Sequence, residues 1–332
     1  DYDPHMSNPD RWQGLPYNAI SCFYRKTFGN RVYKIPVGVA ETCPNREGIR
    51  GMKTCIFCDQ WGSAAFPEYR EATLRQQIEQ ARERVRLRFN GDTFLIYFQA
   101  YTTTFGRASQ LSEQFSVSLS YPEVKGVVVG TRPDCLSPSV LDLWRETSEN
   151  GTFVGVELGV QSFDNRQLEW MRRGHDSSKS LAAIEKIRTK APKVNLGIHL
   201  MFGLPNETTE DILHTAKMVN SLPLDNVKLH NLHVLKGTPL AEQYQNGLFS
   251  PISREEYIRR VVLFLEHLNP ETAVHRLAAV ASRHEELVAP AWARSKMETY
   301  QMTLDEFTRQ ETFQGRAFQA LPRLSPEARL RP

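Results

Sequence analysis

Three of the chain's five cysteines, Cys43, Cys55 and Cys58, lie in one loop that also carries glycine and proline. Two cysteines separated by two residues can direct both thiolates at one metal centre, and a third can close on that centre across a flexible loop. Structural zinc sites take four ligands, and ferredoxin-type [4Fe-4S] clusters take four cysteines. A set of three therefore indicates a cluster with one iron open to a small ligand.

The alternative for this loop is a zinc site completed by a distant histidine, although the spacing fits common zinc motifs poorly. The other two cysteines, Cys22 and Cys135, are expected to be small buried or half-buried residues that bind no metal. Five cysteines in this distribution suit a reducing compartment better than a disulfide framework, which predicts a cytoplasmic protein.

The composition predicts one large domain with appendages, since α/β barrels reach 332 residues as single units. No run of eighteen apolar residues is present, so we expect no membrane partner. Residues 1–5 are expected to be an expression remnant, and no apolar leader argues for export. The net charge of +3 and the pI near 8.6 neither establish nor exclude nucleic-acid binding.

Strand and helix patterns alternate from the cysteine loop onwards, which indicates parallel βαβ units. Periodicity alone leaves a closed barrel, an open barrel and a doubly wound sheet as alternatives. Beyond residue 245 the sequence predicts helices at 254–267 and 290–310 around a short strand at 273–277. The six predicted strands are 31–41, 93–99, 125–130, 153–159, 194–201 and 227–234, and the helices between them are 73–89, 109–117, 139–149, 177–191 and 209–221.

Polar residues end the predicted strands. Ligands of parallel α/β folds bind at the C-terminal strand ends, so we expect these side chains to surround one site together with the cysteine loop. They are Gln99, Tyr101, Thr103, Thr131, Arg132, Asp134, Glu157, Gln161, Ser162, His199, His233 and Lys236.

Several motifs occur in an order that resembles the radical S-adenosylmethionine (SAM) superfamily, and within it the branch of the elongator catalytic subunit and the YhcC and YtqA type proteins. The resemblance runs from about residue 24 to about residue 315, and an aromatic residue, Phe57, before the last loop cysteine is typical of that branch. The motifs are Phe28-Gly-Asn-Arg-Val-Tyr-Lys34, Cys43-Pro-Asn-Arg-Glu-Gly48, Tyr97-Phe-Gln-Ala-Tyr-Thr102, Gly130-Thr-Arg-Pro-Asp134, Glu157-Leu-Gly-Val-Gln-Ser162 and Met201-Phe-Gly-Leu-Pro205.

The resemblance implies an incomplete (β/α)6 radical SAM barrel over residues 24–244. An N-terminal extension, 1–23, would precede it, and a mainly helical C-terminal extension, 245–332, would follow it. It also implies an oxidoreductase or transferase type of enzyme that cleaves SAM reductively at a [4Fe-4S] cluster, with an electron donor such as flavodoxin or ferredoxin. The cleavage yields a 5′-deoxyadenosyl radical.

The same resemblance implies particular contacts for the cofactor and the substrate. Gln161 and Arg173 would contact the SAM ribose and the methionyl carboxylate, for which a guanidinium is a bidentate partner. Without the resemblance, these residues would be predicted to be a polar strand end and a surface arginine, and His199 a core histidine. The remaining cofactor candidates are Phe57, Gln99 and His199, and the substrate-pocket candidates are Tyr101, Thr103 and Lys236.

Relatives in this branch act on tRNA wobble uridine side chains, so the resemblance implies a tRNA substrate. Phosphate contacts are expected from the basic residues Arg25, Lys26, Arg31 and Lys34 near the first strand. Two alternatives remain. One is radical chemistry on a small molecule or peptide, and the other is a non-catalytic metal-binding protein that binds tRNA but not SAM.

Overall fold

The fold is organised around one curved sheet, seen in a computed structural model that describes residues 11–60, 62, 71–281 and 283–319. This sheet has seven strands in the order β1-β2-β3-β4-β5-β6-β8, and every neighbouring pair is parallel. The sheet confirms the predicted incomplete barrel and adds a short seventh strand. The strands are β1 (Tyr33–Val37), β2 (Phe94–Phe98), β3 (Val124–Thr131), β4 (Phe153–Gln161), β5 (Asn195–Phe202), β6 (Asn226–Asn231) and β8 (Ala273–Val274), while β7 (Val234–Leu235) and β9 (Leu287–Ala289) form a separate antiparallel pair.

Helices pack on the outer face of the sheet, and several of them begin at a residue whose side chain caps the helix. Thr73 and Thr208 each form a reciprocal capping box with the third helical residue, which satisfies two otherwise unpaired N–H groups. No described helix has the length and apolar character needed to cross a membrane. The helices are α1 (Ile20–Phe28), α2 (Leu74–Phe89), α3 (Ala108–Leu119), α4 (Pro138–Glu149), α5 (Asn165–Trp170), α6 (Ser177–Lys190), α7 (Thr209–Ser221), α8 (Pro239–Gln245), α9 (Arg254–His267) and α10 (Lys296–Arg309).

The main core lies between the sheet and these helices. Every residue of β2 is buried, as expected for a parallel strand covered on both faces. Trp144 of α4 is completely buried, and the rings of Phe98 and Phe115 pack 5.6 Å apart between β2 and α3. This packing fixes the positions of the C-terminal strand ends, where polar side chains replace apolar ones.

The C-terminal region belongs to the same body as the sheet. Val274 of β8 donates its backbone N–H to Asn18 O (2.7 Å), and Gln314 donates its N–H to Pro16 O (2.9 Å). The expected domain limits, after residue 23 and after residue 244, fall inside α1 and α8. The predicted extension at 245–332 therefore contributes a strand to the barrel sheet, and its last residues, 320–332, lie outside the described residues.

The helix predicted at 290–310 is divided in the structure. A short 3-10 helix, Ala291–Arg294, comes first, and α10 begins at Lys296. Ser295 separates them because its backbone (φ −107°, ψ 81°) lies outside the helical region. The short helices α1, α5 and α8 are additional to those predicted.

Candidate functional site

A cavity of about 350 Å³ opens at the C-terminal edge of the sheet. The three loop cysteines form one part of its wall, and residues that end or follow the strands form the rest. Most of the predicted site residues line it, namely Phe57, Gln99, Tyr101, Thr131, Arg132, Glu157, Gln161, Arg173, His199 and His233.

The cysteine loop is held on the barrel by Asn45, whose side chain is buried. Its Nδ2 donates to Lys53 O (2.7 Å) and to Arg172 O (2.8 Å), and its Oδ1 accepts a hydrogen bond from Arg132. Ile56 adds a backbone bond to Met171 O (3.1 Å). These bonds fasten the loop to the segment that follows α5, so the cysteines and Arg173 face the same cavity.

The environment of the cysteines fits a bound iron–sulfur cluster. Arg173 Nη1 lies 3.4 Å from Cys55 Sγ, and Arg46 Nη2 lies 3.5 Å from Cys58 Sγ. Burial, with the neighbouring Cys55, raises the pKa of the Cys58 thiol to about 12, so a thiolate requires a strong positive partner such as iron. Guanidinium donors stabilise such ligated sulfurs.

The described side chains form no group of three or more His, Cys, Asp and Glu that could already hold a metal ion. A [4Fe-4S] cluster does not require such a group, because each of its cysteines binds a different iron. Positive φ angles at Gly48 and Gly51 show where the loop backbone uses conformations that favour glycine. Cys22 and Cys135 are half-buried, as predicted, and neither lines the cavity; that they bind no metal stays a prediction.

Arg173 and Gln161 converge beside the cysteines. Arg173 Nη2 donates to Gly159 O (2.8 Å), while its Nε and the Oε1 of Gln161 are buried without a hydrogen-bond partner among the described residues. A Cβ at Gly159 would lie 3.2 Å from both side chains, so glycine permits their close approach. Buried unpaired polar atoms of both kinds are what a ligand such as SAM would satisfy.

Replacing Arg173 by glutamine is expected to weaken SAM binding by about ten- to a hundredfold. The reason is the loss of a charge-assisted contact of about 1.5–3 kcal/mol. Equilibrium dialysis of the anaerobically reconstituted protein measures this change. Arg166→Gln, on an exposed helix start in the same segment, is the matched control. Equal SAM affinity in Arg173→Gln and the control would remove Arg173 from the site.

A polar network crosses the barrel interior below the cysteines, and Glu157 is its hub. The carboxylate accepts hydrogen bonds from Tyr97 Oη (2.7 Å) and Lys228 Nζ (2.9 Å), and it forms an ion pair with Lys34. Burial alone would raise the pKa of Glu157, but Lys228 and Lys34 hold it well below its ordinary value. The network therefore contains an ionised carboxylate.

His199 belongs to this network. Its Nε2 lies 2.8 Å from Glu157 Oε2, and burial lowers its pKa to about 4, with Lys228 contributing, so the neutral ring donates to the carboxylate. His199 also lines the cavity, so its predicted ribose contact remains a prediction. The strand pattern offered one clue to the network, because Lys228 and His230 alternate with Val227 and Leu229 and so share one face of the strand.

The C-terminal region contacts the cysteine loop through Asp59, which directly follows Cys58. Its buried carboxylate forms an ion pair with Arg283, which also bonds Glu286 Oε2 (2.8 Å). Asp59 and Arg283 both line the cavity. The segment before β9 thus forms part of the wall opposite the strand ends.

The three substrate-pocket candidates occupy different places. Tyr101 lines the cavity and donates its hydroxyl to Gln60 O (2.9 Å). Thr103 is buried in a 3-10 turn and does not line the cavity. Lys236 is exposed and does not line the cavity. Its backbone N–H donates to Glu286 O (2.8 Å). The structure therefore brings only Tyr101 of the three to the cavity.

The predicted phosphate-binding group does not lie at the cavity mouth. Arg25, Lys26 and Arg31 precede β1 and so lie at the N-terminal edge of the parallel sheet, whereas the cysteine loop follows β1 at the opposite edge. Lys34 points into the barrel, where it pairs with Glu157. The expectation of phosphate contacts beside the mouth is therefore corrected for these four residues.

Comparison with known proteins gives a consistent set of similarities. The Radical SAM superfamily model matches residues 39–219, and the Radical_SAM C-terminal domain model matches residues 224–309. YtqA of Bacillus subtilis is 32% identical over 305 residues (92% of this chain and 94% of that protein), and YhcC of Escherichia coli K12 is 33% identical over 293 residues (88% and 92%). Archaeal Elp3 from Methanocaldococcus infernus has a TM-score of 0.60 at 17% identity, covering 85% of this chain and 64% of that chain, a likeness of fold alone.

Proposed function

Because the chain belongs to the radical SAM superfamily, as its motifs predicted, we propose that it modifies the side chain of a tRNA wobble uridine. Its cofactors are a [4Fe-4S] cluster and SAM, which together supply a 5′-deoxyadenosyl radical that abstracts a substrate hydrogen. Membership in this superfamily of enzymes sets aside the alternative of a non-catalytic metal-binding protein.

We propose the following roles for the chain's own residues. Cys43, Cys55 and Cys58 hold the cluster, while Arg173 and Gln161 bind and orient SAM. The Glu157 network fixes the inner wall. We propose a cytoplasmic flavodoxin or ferredoxin as the donor of the electron, because reductive cleavage consumes one electron.

The observation that carries the tRNA proposal is a basic rim beside the cysteine loop. Arg50, Lys53 and Arg172 are all exposed, and Asn45 joins the backbones of Lys53 and Arg172 directly. Arg50 and Lys53 belong to the loop that carries the cysteines, and Arg172 directly precedes Arg173, although none of these three cations lines the cavity itself. Such a rim supports phosphate contacts that would position an RNA loop over the site.

The double variant Lys53→Gln/Arg172→Gln tests this rim. Because each lost phosphate contact removes about 0.7–0.9 unit of log-log salt dependence, we expect a shallower slope and weaker binding of an anticodon stem-loop. Fluorescence anisotropy across a salt series measures both quantities. Arg25→Gln/Lys26→Gln, at the opposite edge, removes the same charge and serves as the control. Equal slopes in the two double variants would argue against the rim.

Radical chemistry on a small molecule or peptide is the second candidate, and the polar inner wall of the cavity favours it. Tyr97, Lys228 and His230 line that wall well inside the barrel. A stem-loop that neither binds at low salt nor stimulates 5′-deoxyadenosine formation, while SAM binds normally, would favour this candidate over tRNA.

A further inference from the structure

A half-buried guanidinium without a carboxylate partner lies in the wall of the cavity. Arg276 follows β8 and lines the cavity. Its Nε donates to Leu229 O (3.3 Å), and its Nη2 lies 2.6 Å from a ring nitrogen of His230. None of the described carboxylates forms an ion pair with Arg276, although arginines withdrawn from solvent are ordinarily paired.

The surrounding charges do not compensate Arg276. Glu157 is the acidic residue of the inner wall, and it is already shared by Lys34, Lys228, Tyr97 and His199. Burial lowers the pKa of Lys228 to about 7, and burial also lowers the pKa of Arg276, with only partial compensation from tyrosines and Glu157. The inner wall thus carries more positive than negative charge in a poorly solvated space, which favours an incoming anion.

A further donor on the same wall lacks an acceptor. Asn231 is 2% exposed, and its Oδ1 accepts the N–H of Ala279 (2.7 Å). This bond orients the amide so that Nδ2 is left buried with no partner in the described part of the chain. Asn231, Lys228 and Arg276 all line the cavity, so the wall offers donors to a ligand that brings acceptors.

We propose that Arg276, with Lys228 and Asn231, binds a carboxylate carried by the substrate. A planar carboxylate matches the guanidinium fork, and a single negative charge balances the surplus better than a phosphate dianion. This proposal deepens the proposed function, on which it rests, by specifying a wobble uridine whose side chain ends in a carboxylate. This substrate carboxylate is distinct from the carboxylate of SAM, for which Arg173, beside Cys55, is the proposed partner.

Two anticodon stem-loops of one sequence test the proposal, with a wobble uridine whose C5 side chain ends in a carboxylate or in the matching carboxamide. We expect the reconstituted wild-type protein with SAM to bind the acid about ten- to a hundredfold more tightly than the amide. Arg276→Gln should reduce that ratio to near one. Arg259→Gln, on the exposed face of α9, should keep the wild-type ratio.

The remaining outcomes are also decisive. SAM affinity should be equal in wild type and Arg276→Gln, and a tenfold loss would assign Arg276 to SAM and overturn the proposal. A wild-type protein that does not distinguish acid from amide would also overturn it. If neither stem-loop binds, the tRNA proposal fails, and the carboxylate site is tested with the free nucleosides that carry the acid or the amide. Tighter binding of the acid that is lost in Arg276→Gln supports the carboxylate site. Equal binding of the two nucleosides overturns it.

Discussion

Replacing Cys43, Cys55 or Cys58 singly by alanine is expected to abolish SAM cleavage and to prevent assembly of an intact [4Fe-4S] cluster. In the proposed assignment each cysteine supplies one of three thiolates, and the remaining two would not hold a cubane that also leaves one iron for SAM. Iron and sulfide analysis after anaerobic reconstitution should give about four of each per wild-type chain. The three variants should fall well below that value and yield no 5′-deoxyadenosine.

Cys22→Ala and Cys135→Ala are the matched controls, because both thiols are half-buried and lie away from the cavity. They should keep the wild-type iron content and SAM cleavage. Cleavage at the wild-type rate in any of the three loop variants would contradict the ligand assignment. A loss of cluster in both controls would instead indicate damage to the fold.

The second large effect concerns stability. Glu157→Gln should lower the free energy of unfolding by about 3–5 kcal/mol, because it removes the buried carboxylate that pairs with the half-buried Lys34 and Lys228. Denaturant unfolding of the protein measures the loss. Glu146→Gln, an exposed residue on α4, should change the stability by less than about 0.5 kcal/mol. Equal stabilities of the two variants would contradict the role of Glu157 as the hub.

The same network predicts a pH dependence. The pKa of Glu157 lies well below its unfolded value, so its stabilisation is complete above about pH 4.3 and is lost as the pH falls through the folded pKa. The pKa of His199 is lowered to about 4, so stability is lost on acidification from about pH 6.5 towards pH 4 as well. The unfolding free energy of Glu157→Gln should lack the carboxylate contribution below about pH 4.3.

The regular alternation of strand and helix patterns along the chain explains why the sequence predicts much of the fold. The predicted helix at 209–221 coincides with α7, because a capping box at Thr208 and an apolar stripe mark its limits. The short helix α5 has too few residues for a helical period to be read, and Ser295 interrupts a helical pattern through its backbone geometry.

The candidate site was predictable where spacing along the chain carried the information. The cysteine loop is of this kind, whereas the roles of Gln161 and Arg173 were implied only by the resemblance to a known family. The Glu157 network is not, because Lys34, Tyr97, Glu157, His199 and Lys228 come from five different strands. Only the curvature of the sheet brings their inner faces together, and the alternation within one strand does not show which residues of the other strands lie opposite.

The inner and outer faces of the barrel also could not be assigned from composition. Lys34 belongs to a basic segment in the sequence, yet it pairs with Glu157 inside the barrel. Arg25 and Arg31 lie at the edge of the sheet remote from the cysteines. The basic rim at Lys53 and Arg172 was not predicted, because its two parts are far apart in the sequence and are brought together by long-range contacts such as those of the Asn45 side chain.

Hydrogen transfer from the wobble uridine side chain is the most direct test of the account. The reconstituted protein would be incubated with SAM, a one-electron reductant and an anticodon stem-loop deuterated in the C5 side chain of its wobble uridine. Mass spectrometry of the 5′-deoxyadenosine product should then show one deuterium, because the radical abstracts hydrogen from that side chain. Formation of 5′-deoxyadenosine that contains no deuterium would contradict the assignment of this substrate.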